Sequence, residues 1–158
     1  MPEPTVVHNT FVLERSYSVP PERVFSALSE ANQKRRWYME GENKDLDEFT
    51  MDFRVGGTEL GRYRYQHGTP FPGAVFTSEA IYRDIVPNRR VVATNTMTIG
   101  DKRISAALVT FELLPTDKGT DLIFTHQAAF FEGADGPQIR EMGWRKLLDR
   151  LGSELERA

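Results

Sequence analysis

Cysteine is absent from this sequence, and its absence excludes several kinds of chemistry at once. There is no disulfide framework, no thiol nucleophile and no thiolate zinc site. Histidine is scarce, with three residues in 158. Of these, His8 and His67 are predicted to lie in a tail and a loop. No His/Asp spacing typical of a metal site is present. We therefore expect neither a metal nor a cofactor.

Long apolar runs and an excess of basic residues are missing as well. No stretch approaches the roughly 20 apolar residues that a membrane span needs. The first residues lack the basic-then-apolar pattern of a signal peptide. The net charge of -3 argues against a partner with a phosphate backbone. These features predict a soluble cytoplasmic protein with no nucleic-acid partner.

The composition is that of a folded domain. The chain is 39% hydrophobic and 11% aromatic, and 158 residues suffice to bury one core. We predict a loose tail over residues 1–9 and a single domain over residues 10–158.

Period-two alternation predicts seven strands. They lie at residues 10–19, 49–54, 58–66, 75–86, 90–98, 104–114 and 120–128. The 75–86 strand is long enough to require a bend or a bulge. Gly56-Gly57 predicts a hairpin turn, and the polar residues 40–48 predict a loop.

Three helical segments are predicted. Pro20-Pro21-Glu22 opens a short helix, and residues 30–38 form a second helical turn. Its basic cluster, Lys34-Arg35-Arg36, is predicted to be a solvated helix end. Residues 137–155 form a long helix, whose apolar side includes Trp144, Leu148 and Leu151 at helical spacing. A long helix laid across a curved sheet can leave a cavity between the two.

This order of elements is accompanied by short motifs at the joints between them. The motifs are VPPERVF at 19–25, Trp37, DFRVGG at 52–57, DIVPNRRV at 84–91, VTFEL at 109–113, GTDL at 119–122 and Gly143-Trp144. Together they resemble the START-like (Bet v 1-like, SRPBCC) superfamily. Within it, the chain is similar to stand-alone domains named after the activator of Hsp90 ATPase.

The resemblance implies an α+β helix-grip fold. In this fold a seven-stranded antiparallel curved sheet surrounds a long C-terminal helix, with two short helices near the N-terminus. Relatives bind lipids, hormones and polyketide intermediates, catalyse cyclisation, or bind chaperones. The chaperone activator itself carries a further N-terminal domain, for which this chain has no room.

The predicted inner face of the sheet is rich in aromatic side chains, and several polar residues share it. A plain core is one interpretation, but three buried tyrosines would need partners for their hydroxyls, which a partly open cavity supplies. The candidate ligand-binding residues are Arg15, Trp37, Met51, Phe53, Glu59, Tyr63, Tyr65, Phe76, Tyr82, Asn95, Met97, Phe111, Phe124, His126 and Trp144.

The polar candidates are hypothesised to anchor a ligand in an apolar cavity. Arg15 and Glu59 could instead lie near strand ends in solvent. His126 could orient a ligand, act as a general base, or be a hydrogen-bonded structural residue.

The function we predict is binding of a small hydrophobic or aromatic molecule between the sheet and the C-terminal helix. One alternative is a cyclase- or hydrolase-like enzyme in the same cavity, with His126 and Glu59 as catalytic candidates. Contact between His126 and Glu59 or Tyr63 would favour this enzyme. Another is a chaperone-type interaction module using the outer sheet face, which a fully packed interior would favour. A homodimer is left open, because no interface is marked.

Overall fold

A single antiparallel sheet carries most of the chain in the computed structural model, which describes residues 5–41, 43–66, 68–69 and 71–157. His67 lies outside the described residues. The seven strands are β1 (Val7–Tyr17), β2 (Lys44–Met51), β3 (Thr58–Tyr65), β4 (Val75–Val86), β5 (Arg90–Ile99), β6 (Lys102–Thr116) and β7 (Gly119–Phe130). The helices are α1 (Pro21–Ser29), α2 (Ala31–Lys34), which continues into a π-helical turn (Arg35–Met39), and α3 (Pro137–Leu155).

The strand order across the sheet is β1-β7-β6-β5-β4-β3-β2. The first strand therefore pairs with the last, with Phe11 opposite His126, and β1 and β2 form the two edges. The register of β4 against β5 shifts between Tyr82 and Asp84, which confirms the predicted irregularity in the long strand. Such bulges bend a strand and increase its twist, so the sheet curves around α3. The predicted α+β helix-grip architecture is confirmed.

The β2–β3 connection explains the paired glycines. Gly56 has a φ of +85°, which glycine adopts without steric cost. A Cβ on Gly57 would lie 2.0 Å from the Asp52 carbonyl oxygen. Both positions therefore require glycine, as the predicted turn implied.

The short helices are fastened to one another by specific hydrogen bonds. The Glu30 side chain accepts hydrogen bonds from the backbone N–H groups of Asn32 and Gln33, which caps α2. Trp37, in the π-helical turn, is 1% exposed, and its Nε1 donates to the Ala27 carbonyl at 2.8 Å. This bond fixes the π-helical turn against α1.

The apolar side of α3 packs on the inner face of the sheet. Trp144, Leu148 and Leu151 are buried, and the Trp144 ring centroid lies 4.2 Å from that of Phe124. A second buried cluster lies under β3, β4 and β5 and consists of Met39, Tyr63, Phe76, Met97 and Ile104. In the described ranges, no helix is both long and apolar enough to cross a membrane.

The starts of β1 and β2 lie three and five residues before their predicted positions, and the other strand ends shift by at most three residues. The loop predicted over residues 40–48 is wrong from Lys44 onward, because β2 begins there and pairs with β3. This edge strand is rich in acidic residues, so it lacks the apolar alternation that marks a half-buried strand. β1 begins at Val7 rather than Thr10, so residues 7–9, predicted as tail, pair with β7.

Candidate functional site

A cavity of about 900 Å³ lies between α3, the π-helical turn and the inner face of the sheet. Its volume falls within the range of about 300–1,000 Å³ that is typical of small-molecule sites. Ile139 and Met142 on α3 line it and are 40% and 55% exposed. The cavity therefore opens to solvent beside the first half of α3, and the interior is not fully packed.

Most of the predicted site residues meet in this cavity. They come from five strands and from α3. The core beneath α3 and the second cluster under β3, β4 and β5 both contribute residues to the wall. The predicted residues that line it are Glu59, Tyr63, Tyr65, Phe76, Tyr82, Asn95, Met97, Phe111, His126 and Trp144.

Arg15 does not reach the cavity. Its Nε donates to Asp149 on α3 at 3.2 Å, and its Nη1 donates to the Glu14 carbonyl at 2.9 Å. The residue shares the parity of Phe11 and Leu13, but it lies toward the end of β1, where α3 offers a carboxylate. The structure therefore places Arg15 in a surface ion pair between sheet and helix.

Four apolar candidates also lie outside the cavity lining. Phe124 is 0% exposed and lies between the rings of Phe111 and Trp144. Phe53 packs edge-on against Tyr82, with 4.9 Å between ring centroids. Trp37 and Met51 likewise belong to the packed core or its margin. These residues pack in the core around the lining residues and do not face the cavity.

A buried ionic cluster forms part of the cavity wall. Lys34 Nζ lies 2.5 Å from Glu59 Oε1, and the Tyr82 hydroxyl donates to the same oxygen at 2.6 Å. Lys34 and Glu59 are 7% and 5% exposed, so each offsets the other's desolvation. Burial, reinforced by the Glu59 charge, raises the pKa of Tyr82. Tyr82 therefore remains a neutral donor. We call these three residues the Lys34–Glu59–Tyr82 cluster.

Further polar contacts continue from this cluster across the wall. Lys34 Nζ lies 5.0 Å from the centroid of the Tyr38 ring, a cation–π distance. The hydroxyls of Tyr38 and Ser78 are 3.4 Å apart, and Asn95 Nδ2 donates to Ser78 Oγ at 2.8 Å. Burial raises the pKa of Tyr38, so its hydroxyl also stays protonated. One wall of the apolar cavity thus carries a connected set of hydrogen-bonding groups.

Among the described residues, His126 takes no part in the hydrogen bonds of this polar wall. It is 1% exposed and stacks on Phe11 with 4.7 Å between ring centroids. Burial, and then the positive charge of Arg140, lowers the pKa of His126 to about 4. Its Nδ1 has no hydrogen-bond partner in the described part of the chain. His126 therefore faces the cavity as a neutral imidazole and is not coupled to Glu59 or Tyr63.

Several lining residues were missed by the sequence patterns. The predicted solvated end Lys34-Arg35-Arg36 is wrong for Lys34, which is buried. Arg36 is instead held by Glu154 at 2.9 and 2.7 Å. Tyr38 and Met39 line the cavity from the π-helical turn. Tyr38 ends the predicted helical turn over residues 30–38, and both residues follow Trp37 of the motif set.

Arg140 and Asp135 form a second buried ion pair in the lining. Arg140 donates to the two Asp135 oxygens at 2.7 and 2.8 Å, and to Ser105 Oγ at 3.0 Å. The bidentate bond fixes the start of α3 to the loop before it. Among the described residues, no three His, Asp or Glu side chains come together in a way that could hold a metal ion.

A curved antiparallel sheet holding a long helix over an open, mainly apolar cavity defines a helix-grip protein. The profile of the Activator of Hsp90 ATPase homolog 1-like protein family matches residues 18–156. The chain belongs to this family.

Solved structures of similar proteins agree with this assignment. An uncharacterized protein from Rhizobium leguminosarum is 36% identical and superposes with a TM-score of 0.86, covering 97% of each chain. The Mll3558 protein from Rhizobium loti is 42% identical, with a TM-score of 0.83, over 94% of this chain and 98% of that one. An AHSA1-like protein from Aeromonas hydrophila, 18% identical with a TM-score of 0.68 over 94% and 92% of the two chains, shares the fold. No curated protein matches the sequence significantly.

Proposed function

We propose that this protein binds a small hydrophobic or aromatic molecule in the cavity between the sheet and α3. The observation that carries the proposal is the open cavity of about 900 Å³, because folded interiors are otherwise packed with few voids larger than a water molecule. Aromatic rings of Tyr63, Phe76 and Trp144 line it and offer flat apolar contact area to a ligand.

The Lys34–Glu59–Tyr82 cluster supports a directional role within this site. Both side-chain hydrogen bonds that the described residues make to Glu59 end on Oε1, so within this part of the chain Oε2 is left for a donor from the ligand. A few polar groups in an apolar pocket fix the orientation of what it binds. The favoured molecule therefore has an apolar body with a hydroxyl or N–H group directed at Glu59.

Binding is favoured over the alternatives by two observations. An acid–base pair would need His126 within hydrogen-bond reach of a partner, and in the described residues its ring contacts are with Phe11, Phe124 and Phe130. An interaction module that uses only the outer sheet face has no need of an open interior.

The proposal is tested by native mass spectrometry of the protein purified from its own host, with identification of any retained molecule. In parallel, the neutral fluorescent probe N-phenyl-1-naphthylamine is titrated into protein freed of ligand. Saturable binding is expected. The absence of both a retained ligand and saturable probe binding would contradict the proposal.

A matched pair of variants on β5 locates the bound probe. Ala93 lines the cavity, and Ala93→Phe should place a ring in it and weaken probe binding. Thr96 lies on the opposite face of the same strand, because successive side chains alternate. Thr96→Phe should leave probe binding unchanged. Equal affinities in the two variants would mean that the probe binds elsewhere.

A further inference from the structure

Lys44 occupies an unusual position for a lysine of an edge strand. It is the first residue of β2, and edge-strand lysines commonly point into solvent, where they prevent pairing with other chains. Here Lys44 Nζ lies 4.5 Å from the centroid of the Tyr63 ring and donates to the Tyr38 carbonyl at 3.3 Å. The side chain therefore folds inward and lines the cavity.

The Lys44 ammonium differs from two other cations of the lining, Lys34 and Arg140, in its charge partners. Lys34 is paired with Glu59, and Arg140 with Asp135. Within the described ranges, no carboxylate oxygen lies within 4.0 Å of Lys44 Nζ, and Lys44 occurs in no ion pair. Its electrostatic neighbour is another cation, Arg150 on α3.

Burial, and then the charge of Arg150, lowers the pKa of Lys44 to about 8. At neutral pH the ammonium is still charged, in surroundings that oppose its charge. The described residues that line the cavity also include the phenols of Tyr63 and Tyr65, the exposed Lys146, and Glu40. Glu40 is occupied by Arg35 at 3.1 Å. Among the described residues, Glu40 therefore does not neutralise Lys44.

We propose that Lys44 binds a carboxylate at the outer end of the ligand, whose apolar body fills the cavity behind it. This inference rests on the proposed function and specifies the class of ligand as an apolar carboxylic acid. An ammonium has three donors, and the Tyr38 carbonyl accepts one of them. A carboxylate can accept the others, and it supplies a counter-charge that the described residues do not give Lys44.

Two sources share this chemistry, a fatty acid and an aromatic acid. The test uses competition against N-phenyl-1-naphthylamine, a neutral probe. One pair of competitors is 2-naphthoic acid and 2-naphthalenemethanol, and the other is dodecanoic acid and dodecanol. In each pair the apolar body is matched and the charge differs. The acid that displaces the probe at the lower concentration shows whether the ligand is a fatty acid or an aromatic acid.

For at least one pair, the acid should compete about tenfold more strongly than the alcohol, since only the acid brings a negative charge to the Lys44 ammonium. Lys44→Met should remove this advantage and weaken the acid much more than the alcohol. Lys118→Met deletes an exposed lysine in the β6–β7 turn, away from the cavity, and should change neither.

Two results would overturn the inference, and they are distinguishable. If the probe binds but neither acid exceeds its alcohol, or Lys44→Met weakens acid and alcohol equally, the carboxylate role is wrong while binding in the cavity stands. If neither the probe nor any of the four competitors binds, the proposed function fails and the inference fails with it.

Discussion

Lys34 and Glu59, which are 25 residues apart in sequence, form an ion pair of 2.5 Å in the cavity wall. Lys34 comes from α2 and Glu59 from β3, so the pair joins the short helices to the distal part of the sheet. Both side chains are more than nine-tenths buried. The pair therefore fixes the position of the π-helical turn relative to the strands that carry the aromatic wall.

Removing one partner of this pair should destabilise the fold. Lys34→Met leaves the Glu59 carboxylate buried without its counter-charge, and breaking a buried pair in this way costs about 3–5 kcal/mol. Urea denaturation should report this loss. The double variant Lys34→Met/Glu59→Gln should recover part of it, because no uncompensated charge remains. A double variant as unstable as the sum of the two single variants would show that the ion pair contributes no coupling.

The ligand-anchoring role of Glu59 can be tested with Arg15, which lies outside the cavity, as the control position. Glu59→Gln should weaken the binding of 2-naphthol, whose hydroxyl can donate to Glu59, by about tenfold, since a hydrogen bond to a charged group contributes about 1.5–3 kcal/mol. Arg15→Met should leave the affinity unchanged, because Arg15 pairs with Asp149 outside the cavity. Circular dichroism of each variant verifies folding. Equal affinities for wild type and Glu59→Gln would refute the anchor.

The sequence pattern predicts cavity-lining residues correctly where the period of a strand or helix determines the face on which a side chain lies. The alternation of Tyr63 with Tyr65 and of Phe76 with Tyr82, and the helical spacing of Trp144, each placed a residue on the inner face. The same alternation predicts that Asn95 and Glu59 face inward, but it does not predict their hydrogen-bond partners. The period predicts on which face of a strand or helix a residue lies. It does not predict where along the cavity that residue is.

The residues that were missed are those whose burial depends on distant contacts. Charged residues are mostly exposed, so the sequence predicts a solvated Lys34, and only the fold brings Glu59 and Tyr82 to it. Lys44 falls in a predicted loop because β2 lacks apolar alternation. Arg15 shows the opposite error, since its parity was inward but Asp149 of α3 meets it at the surface.

His126 predicts an acid-sensitive contribution to stability. Its pKa falls from 6.5 in the unfolded chain to about 4 in the folded one. Between these values the unfolded chain binds more protons, so the free energy of unfolding rises with pH across this window and decreases as the pH falls. Full protonation of the buried imidazole would cost on the order of 3 kcal/mol.

This contribution can be isolated by comparing two histidine variants. His126→Phe removes the titrating group while keeping a ring that can stack on Phe11, so its free energy of unfolding should decline less than that of wild type as the pH falls from 6.5 to about 4. His8→Gln removes an exposed histidine of β1 and should keep the wild-type profile. Parallel pH profiles for wild type and His126→Phe would show that His126 does not titrate in this way.

Lys44 should oppose folding when no ligand is bound. Its pKa falls from 10.5 in the unfolded chain to about 8 in the folded one, so the folded state loses its proton first as the pH rises. Between these values the unfolded chain binds more protons, and stability increases with pH. At neutral pH the cost of the buried ammonium is fully present. Lys44→Met should therefore raise the free energy of unfolding there, by about 1–2 kcal/mol after allowance for partial exposure.

The gain from Lys44→Met should shrink as the pH approaches 10.5, the value for the unfolded chain, because the folded wild type has by then lost the charge. Urea denaturation of Lys44→Met and of the exposed control Lys118→Met, at neutral pH and near the upper value, measures the difference. If the contacts of Lys44 with the Tyr63 ring and the Tyr38 carbonyl outweigh the cost of its charge, Lys44→Met lowers the free energy of unfolding instead. A decrease at neutral pH would therefore contradict this prediction.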